Sequence, residues 1–131
     1  MDAKAAAQEF MDALHQLEKS GDVSVMQDRF ADDCELHALV RRREHKGRDG
    51  VNAFWTEYLK PFKQIHSDFD HVAANGNIAI LEWTGKGELK EGDGKPVEYA
   101  GCSVLELDGD GKVTRFRTFY DSAQFVTPET K

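Results

Sequence analysis

Six consecutive residues, Asp32 to His37, carry three carboxylates, a thiol and an imidazole. Far downstream, Tyr99, Ser103, Thr118, Tyr120 and Asp121 add four hydroxyls and a further carboxylate. An imidazole changes charge near neutral pH, which makes His37 a candidate general acid or base. A phenol with an ordinary pKa of about 10 can donate to a developing enolate but is a poor base at neutral pH. Acid/base catalysis is therefore the chemistry these groups could do. Tyr120 or Tyr99 would donate, and His37 or Asp121 would act as base.

Each group also has a structural reading. His37 alternates with Glu35 and Leu39, which suggests the outer face of a strand. Asp121 could cap a turn or pair with a neighbouring chain's arginine. His66 and His71 flank Asp68 and Asp70 in the pattern of a solvated strand face, and His15 and His45 carry no constellation. No metal and no cofactor are expected. Cys34 and Cys102 form no CxxC or Cys/His cluster, so they read as thiols in a reducing compartment.

The elements that must hold these groups follow from periodicity. Ala6, Phe10, Ala13, Leu14 and Leu17 recur at helical spacing between Ala3 and Lys19, and Gly21 follows as a C-terminal cap. Asp22 can cap a second helix that leads through Val23, Val25, Met26 and Phe30. Cys34 to Val40 then reads as a strand with Leu36, Ala38 and Val40 on one face. Arg41 to Lys46 reads as a basic loop, and Gly47-Arg48-Asp49-Gly50 opens a third helix ending near Pro61. Four strands follow, over Ile65–Ala73, Ile78–Lys86, Val97–Leu107 and Val113–Ser122. Their turns fall at Asn75-Gly76-Asn77, Glu91–Gly94 and Asp108–Gly111. Thr127–Lys131 reads as a frayed tail. Helices first and an antiparallel meander last predict an α+β fold with the helices on the concave side of one curved, mostly antiparallel sheet.

The bulk numbers agree with one soluble domain over residues 1–131. A chain of 131 residues can bury a core without metal or disulfide support. A formal charge of −7 argues against nucleic acid and anionic membrane as partners. No apolar run approaches the roughly 18–20 residues of a membrane span, and Met1–Ala7 lacks the pattern of a secretory signal. A cytoplasmic location is expected.

Three stretches carry a resemblance: Phe30-Ala-Asp-Asp-Cys-Glu-Leu-His37, Gly47-Arg-Asp-Gly-Val51, and Gly111-Lys-Val-Thr-Arg-Phe-Arg-Thr-Phe-Tyr-Asp121. In this order and spacing the chain resembles the cone-shaped α+β domains of nuclear transport factor 2, ketosteroid isomerases and SnoaL-like polyketide cyclases. The resemblance implies a pocket inside the cone and commonly a homodimer through the outer sheet face, here carrying Ala100, Cys102, Val104 and Phe119. It also places the Arg41–Lys46 connection near the cavity mouth, where arginines could attract a carboxylate or phosphate; a solvated turn and a nuclear targeting patch are the other readings. Function does not carry over residue by residue. Where ketosteroid isomerases have an oxyanion tyrosine, a proton-shuttling aspartate and a protonated aspartate, this chain has Leu14, Ala38 and Ser103. The inward aspartate of epoxide hydrolases of this fold reads Thr118.

Alternation then gives an expected lining. Phe116, Thr118 and Tyr120 face inward from the last strand; Tyr99, Gly101, Ser103 and Leu105 from the one before; Leu81 and Trp83 from Ile78–Lys86. Leu36 and Ala38, Phe10 and Leu14, and Phe54 or Trp55 complete it. The expected ligand-binding set is thus Leu14, Ala38, Trp55, Trp83, Tyr99, Ser103, Phe116, Thr118 and Tyr120. Left open, such an aromatic cavity with a few hydroxyls suits a small apolar or aromatic molecule; the other reading is that the same side chains simply fill the core. Two functions follow. One is a small-molecule-binding module with no catalysis. The other, which the SnoaL-like resemblance implies, is an isomerase, cyclase or dehydratase acting on an activated carbonyl, with Tyr120 or Tyr99 as donor and His37 or Asp121 as base.

Overall fold

In the computed structural model, which describes residues 1–125 apart from the side chains of Arg41 and Gln124, the first helix is α1 (Ala3–Ser20). It starts where the Asp2 carboxylate accepts hydrogen bonds from the Lys4 and Ala5 N–H groups at 3.0 and 3.2 Å. It ends at Gly21, whose φ of 74° is a left-handed conformation that glycine adopts without a Cβ penalty. The expected tail, Thr127–Lys131, lies outside the described residues. Asp22 caps the next segment as expected, but Val23–Arg29 is a 3-10 helix and not a full α-helix.

Six strands form one sheet: β1 (Phe30–Ala38), β2 (Arg43–Lys46), β3 (Phe62–Asn75), β4 (Ile78–Leu89), β5 (Pro96–Leu107) and β6 (Val113–Tyr120). The order is β2-β1-β6-β5-β4-β3; β1 runs parallel to β6 and every other neighbouring pair is antiparallel. The second helix, α2 (Gly47–Leu59), packs with α1 on the concave side of this curved, unclosed sheet. Phe10 of α1 stacks on Phe116 of β6 at 5.5 Å, and Trp55 of α2 meets the same ring at 5.4 Å. These contacts join both helices to the middle of the sheet through one aromatic cluster, the type of packing that carries much of a small core's stability.

Two expectations are corrected in the connection after β1. The strand stops at Ala38, and Leu39–Arg41 is a short 3-10 turn closed by Arg42 at φ 54°. Val40 therefore does not share the inward face of Leu36 and Ala38; it is 41% exposed. The expected loop Arg41–Lys46 is in its second half a strand, pairing Arg43–Lys46 antiparallel with Glu35–Ala38. Reversing the chain so soon after Ala38 is what shortens β1. No helix among the described residues is long and apolar enough to cross a membrane.

Candidate functional site: an aromatic cavity under the helices

Between the helices and the sheet lies a cavity of about 90 Å³. Alternation along β6 brings Phe116, Thr118 and Tyr120 to it, and β5 adds Tyr99 and Ser103. β4 contributes Leu81 and Trp83, β1 contributes Ala38, and the helices contribute Phe10, Leu14, Phe54, Trp55 and Tyr58. All nine positions of the expected lining set stand in its wall. Leu36 and Leu105, expected beside them, are fully buried in the core instead. Phe62, Phe69 and Phe125 complete the aromatic wall; the first two lie on β3, whose inward face the sequence reading did not assign.

The polar groups inside form a short chain. Trp83 Nε1–H donates to Ser103 Oγ at 3.0 Å, and Ser103 Oγ lies 2.9 Å from Thr118 Oγ1. All three residues are buried. Two hydroxyl hydrogens are available and only one lies between the oxygens. Whichever hydroxyl donates, the other keeps a hydrogen for a further acceptor.

At the rim the lining becomes charged. Arg43 Nη1 lies 2.9 Å from Glu57 Oε1, and His45 Nε2 lies 3.1 Å from Glu57 Oε2. Arg43 and Glu57 line the cavity and are 50% and 37% exposed, which marks its mouth. Burial pushes the Glu57 carboxyl up, but hydrogen bonds from His45 and Arg43 outweigh it and hold the group below its ordinary value. His45, expected to carry no constellation, is thus part of one. The signal was invisible in sequence, because Glu57 sits 12 residues away on another element.

A second carboxylate, outside the cavity lining, is held by three hydrogen bonds. Glu18 accepts from Tyr58 Oη at 2.6 Å, from Ser67 Oγ at 2.7 Å and from the Ser67 N–H at 2.9 Å. Burial, with the Glu18 charge adding to it, pushes the Tyr58 phenol well above its ordinary value, so this hydroxyl stays protonated.

The three expected acid/base residues are not brought together. Tyr120 lines the cavity, its ring 5.7 Å from Tyr99. His37 points to the opposite face from Leu36 and Ala38, between Glu44 and Arg117 in the strand register. Its Nε2 is buried without a hydrogen-bond partner among the described residues, 3.6 Å from Glu35 Oε1. Asp121 is exposed and accepts from the Ala123 N–H at 3.0 Å, a turn cap outside the cavity lining.

Among the described residues, two side-chain groups have donor atoms close enough to share an ion, His15/Glu18/His66 and Glu35/His37/Glu44. In the first, His15 is bonded to the Ser67 carbonyl at 2.7 Å and Glu18 is engaged as above. In the second, Glu44 pairs with Lys46 at 3.3 Å and Arg117 stands opposite His37. Neither is assigned a metal.

This fold and its cavity define a cone-shaped α+β protein of the nuclear transport factor 2-like kind. Residues 7–116 match the SnoaL-like domain, and the chain belongs to that family. Among solved structures it is similar to a nuclear transport factor 2-like protein from Anabaena variabilis, at 18% identity and a TM-score of 0.81 over 93% of this chain and 91% of that one. A putative SnoaL-like polyketide cyclase from Shewanella putrefaciens gives 16% identity and a TM-score of 0.78, covering 95% and 94%. An epoxide hydrolase of LEH-like type from M. tuberculosis gives 19% and 0.70, covering 93% and 84%. At these identities the likeness is one of fold. No curated protein matches the chain in sequence.

Proposed function

We propose that this protein binds a small, largely apolar molecule in the cavity between α1, α2 and the sheet. The observation that carries the reading is the Trp83–Ser103–Thr118 chain set into an otherwise aromatic wall. Apolar lining supplies affinity, and a few fixed polar groups supply orientation. The volume of about 90 Å³ limits the guest. An engineered cavity of about 150 Å³ accepts benzene. A guest here is therefore smaller than that, or leaves part of itself in the mouth beside Arg43 and Glu57.

A second, catalytic reading rests on Glu57. It is the carboxylate in the cavity lining among the described residues. With its pKa held low it is a weak base, so it would serve only a substrate whose proton is already acidic, in an isomerisation, cyclisation or dehydration. Tyr120, one of three phenols among the described lining residues, would donate in such a step.

Two further parts of the reading concern the whole molecule. The outer sheet face exposes Ile80 and Phe119 at 42% and 41%, beside Ala100 and Cys102, and we propose that it pairs two copies of the chain. Sedimentation should then show a dimer that Phe119→Glu converts to a monomer. Cys34 and Cys102 are both free thiols, which supports a reducing, cytoplasmic setting.

Native mass spectrometry of the purified protein beside Ala38→Leu tests the binding claim. Ala38 is in the wall, so the added atoms occupy the cavity. One small molecule per chain in the wild type and none in the variant is the expected result. The same adduct in both would place the binding site elsewhere.

A further inference from the structure

The two tryptophans in the wall differ in one respect. Trp83 gives its N–H to Ser103, whereas Trp55 Nε1 is buried and has no hydrogen-bond partner among the described residues. Trp55 is only 2% exposed, and its ring is hemmed in by Phe54, Phe116, Tyr58 and Phe10 at centroid distances of 4.9, 5.4, 5.5 and 6.2 Å. None of the phenylalanines can accept a conventional hydrogen bond, and the Tyr58 oxygen, which donates its hydrogen to Glu18, makes no bond to this N–H. An indole N–H is a donor only, and a buried donor left unpaired is costly. The space this residue borders is the cavity.

We propose that Trp55 Nε1–H is the group that recognises the ligand, and that the ligand is an apolar molecule carrying a neutral oxygen acceptor such as a ketone or ether. This rests on the cavity being the binding site. The remaining hydroxyl hydrogen of the Ser103–Thr118 pair makes the interior donor-rich in the same sense. The acceptor is neutral and not a carboxylate for an electrostatic reason. Among the described lining residues the cation is Arg43, and it is already paired with Glu57 at the mouth. A buried anion would have no uncommitted counter-charge, and its desolvation would go uncompensated. In the empty protein Trp55 Nε1 is buried and unpaired among the described residues, so no bond to solvent is lost when a guest enters. A guest whose oxygen reaches this N–H pairs the donor, and a pure hydrocarbon leaves it unpaired.

The test compares acetone with isobutene, which has the same number of heavy atoms and no oxygen. Each is titrated into the wild-type protein while the two indole N–H signals are followed by ¹H–¹⁵N NMR, with Trp83→Phe used only to assign them. Methyl signals of Leu14 and Leu81, both in the wall, report occupancy by either probe. The proposal expects a downfield shift of the Trp55 indole proton with the ketone and not with the hydrocarbon. It also expects Trp55→Phe to weaken the ketone about tenfold more than the hydrocarbon, the effect of one hydrogen bond. If that variant fails to fold, the wild-type indole shift decides alone. Occupancy by both probes with an unmoved Trp55 signal would overturn the proposal and leave the cavity standing. No occupancy by either would overturn both.

Discussion

Trp83 and Gly101 stand opposite one another on β4 and β5, and the indole lies across the glycine. A Cβ at Gly101 would fall inside contact distance of the indole ring and 2.8 Å from the Phe119 carbonyl oxygen. The missing side chain is what lets Trp83 reach across to Ser103. Tyr99 covers Gly85 in the same way between the same two strands, with ring carbons 2.8 and 3.1 Å from where a Cβ would be. Paired aromatic and glycine positions thus shape the cavity floor, each ring covering a gap that the facing glycine leaves.

Gly101→Ala follows directly. The added methyl must push the indole off its seat, so unfolding in denaturant should show a loss of about 1–3 kcal/mol, the usual cost of overpacking. The Trp83 indole proton should move upfield as its bond to Ser103 lengthens. A variant with wild-type stability and an unchanged indole signal would show that the strands give way instead.

Glu18 holds α1 to α2 and β3 through Tyr58 and Ser67. Glu18→Ala leaves three donors without this acceptor in a part-buried place, and a destabilisation of roughly 2–4 kcal/mol is expected. Glu18→Gln keeps the shape but offers only one acceptor oxygen, so it should fall between. Thermal and urea unfolding of the pair would check the order.

The Glu57 carboxylate gives a pH dependence with a definite sign. Its folded-state pKa is depressed, so its contribution to stability is present above the unfolded value, about 4.3, and is lost as pH falls through the lower folded value. Carbon-13 NMR of the side-chain carboxyl should show a midpoint below that of an ordinary glutamate. His45→Ala removes one of the two hydrogen bonds holding it and should raise the midpoint. A Glu57 midpoint unchanged in that variant would remove His45 from the rim.

Cys34 is buried, and burial raises its thiol pKa against backbone hydrogen bonding at Gly47 and Cys34, with the nearby Asp33 and Asp32 charges adding to the rise. Cys102, half-buried on the outer face, is raised by burial and by Glu82. Neither thiol should react with a disulfide reagent at pH 7 as fast as the unfolded chain does. Rapid labelling of Cys34 in the native protein would contradict its placement.

Much of the scaffold was legible because it obeys local rules. Gly21 caps α1, Asn75-Gly76 and Asp108–Gly111 turn the hairpins, and the Phe116-Thr118-Tyr120 alternation gave the inward face of β6 correctly. β2 was not legible. Its four residues, Arg43 to Lys46, are polar and three of them exposed, so no apolar alternation marks them as a strand. Pairing with β1 alone creates it. The Arg43–Glu57–His45 rim was hidden for a related reason, since it joins an edge strand to a helix through side chains only. The orphan N–H of Trp55 was equally out of reach, because one sequence position says nothing about which donor a neighbour satisfies.

The central claim is that the space beneath α1 and α2 receives a small apolar guest. A crystal of the protein soaked with bromoethane, which is smaller than benzene, and measured at the bromine edge tests it most directly. The account predicts one strong anomalous peak per chain between Phe10, Trp55, Trp83 and Phe116. Side chains collapsed into that space, with bromine found only at the surface, would contradict it.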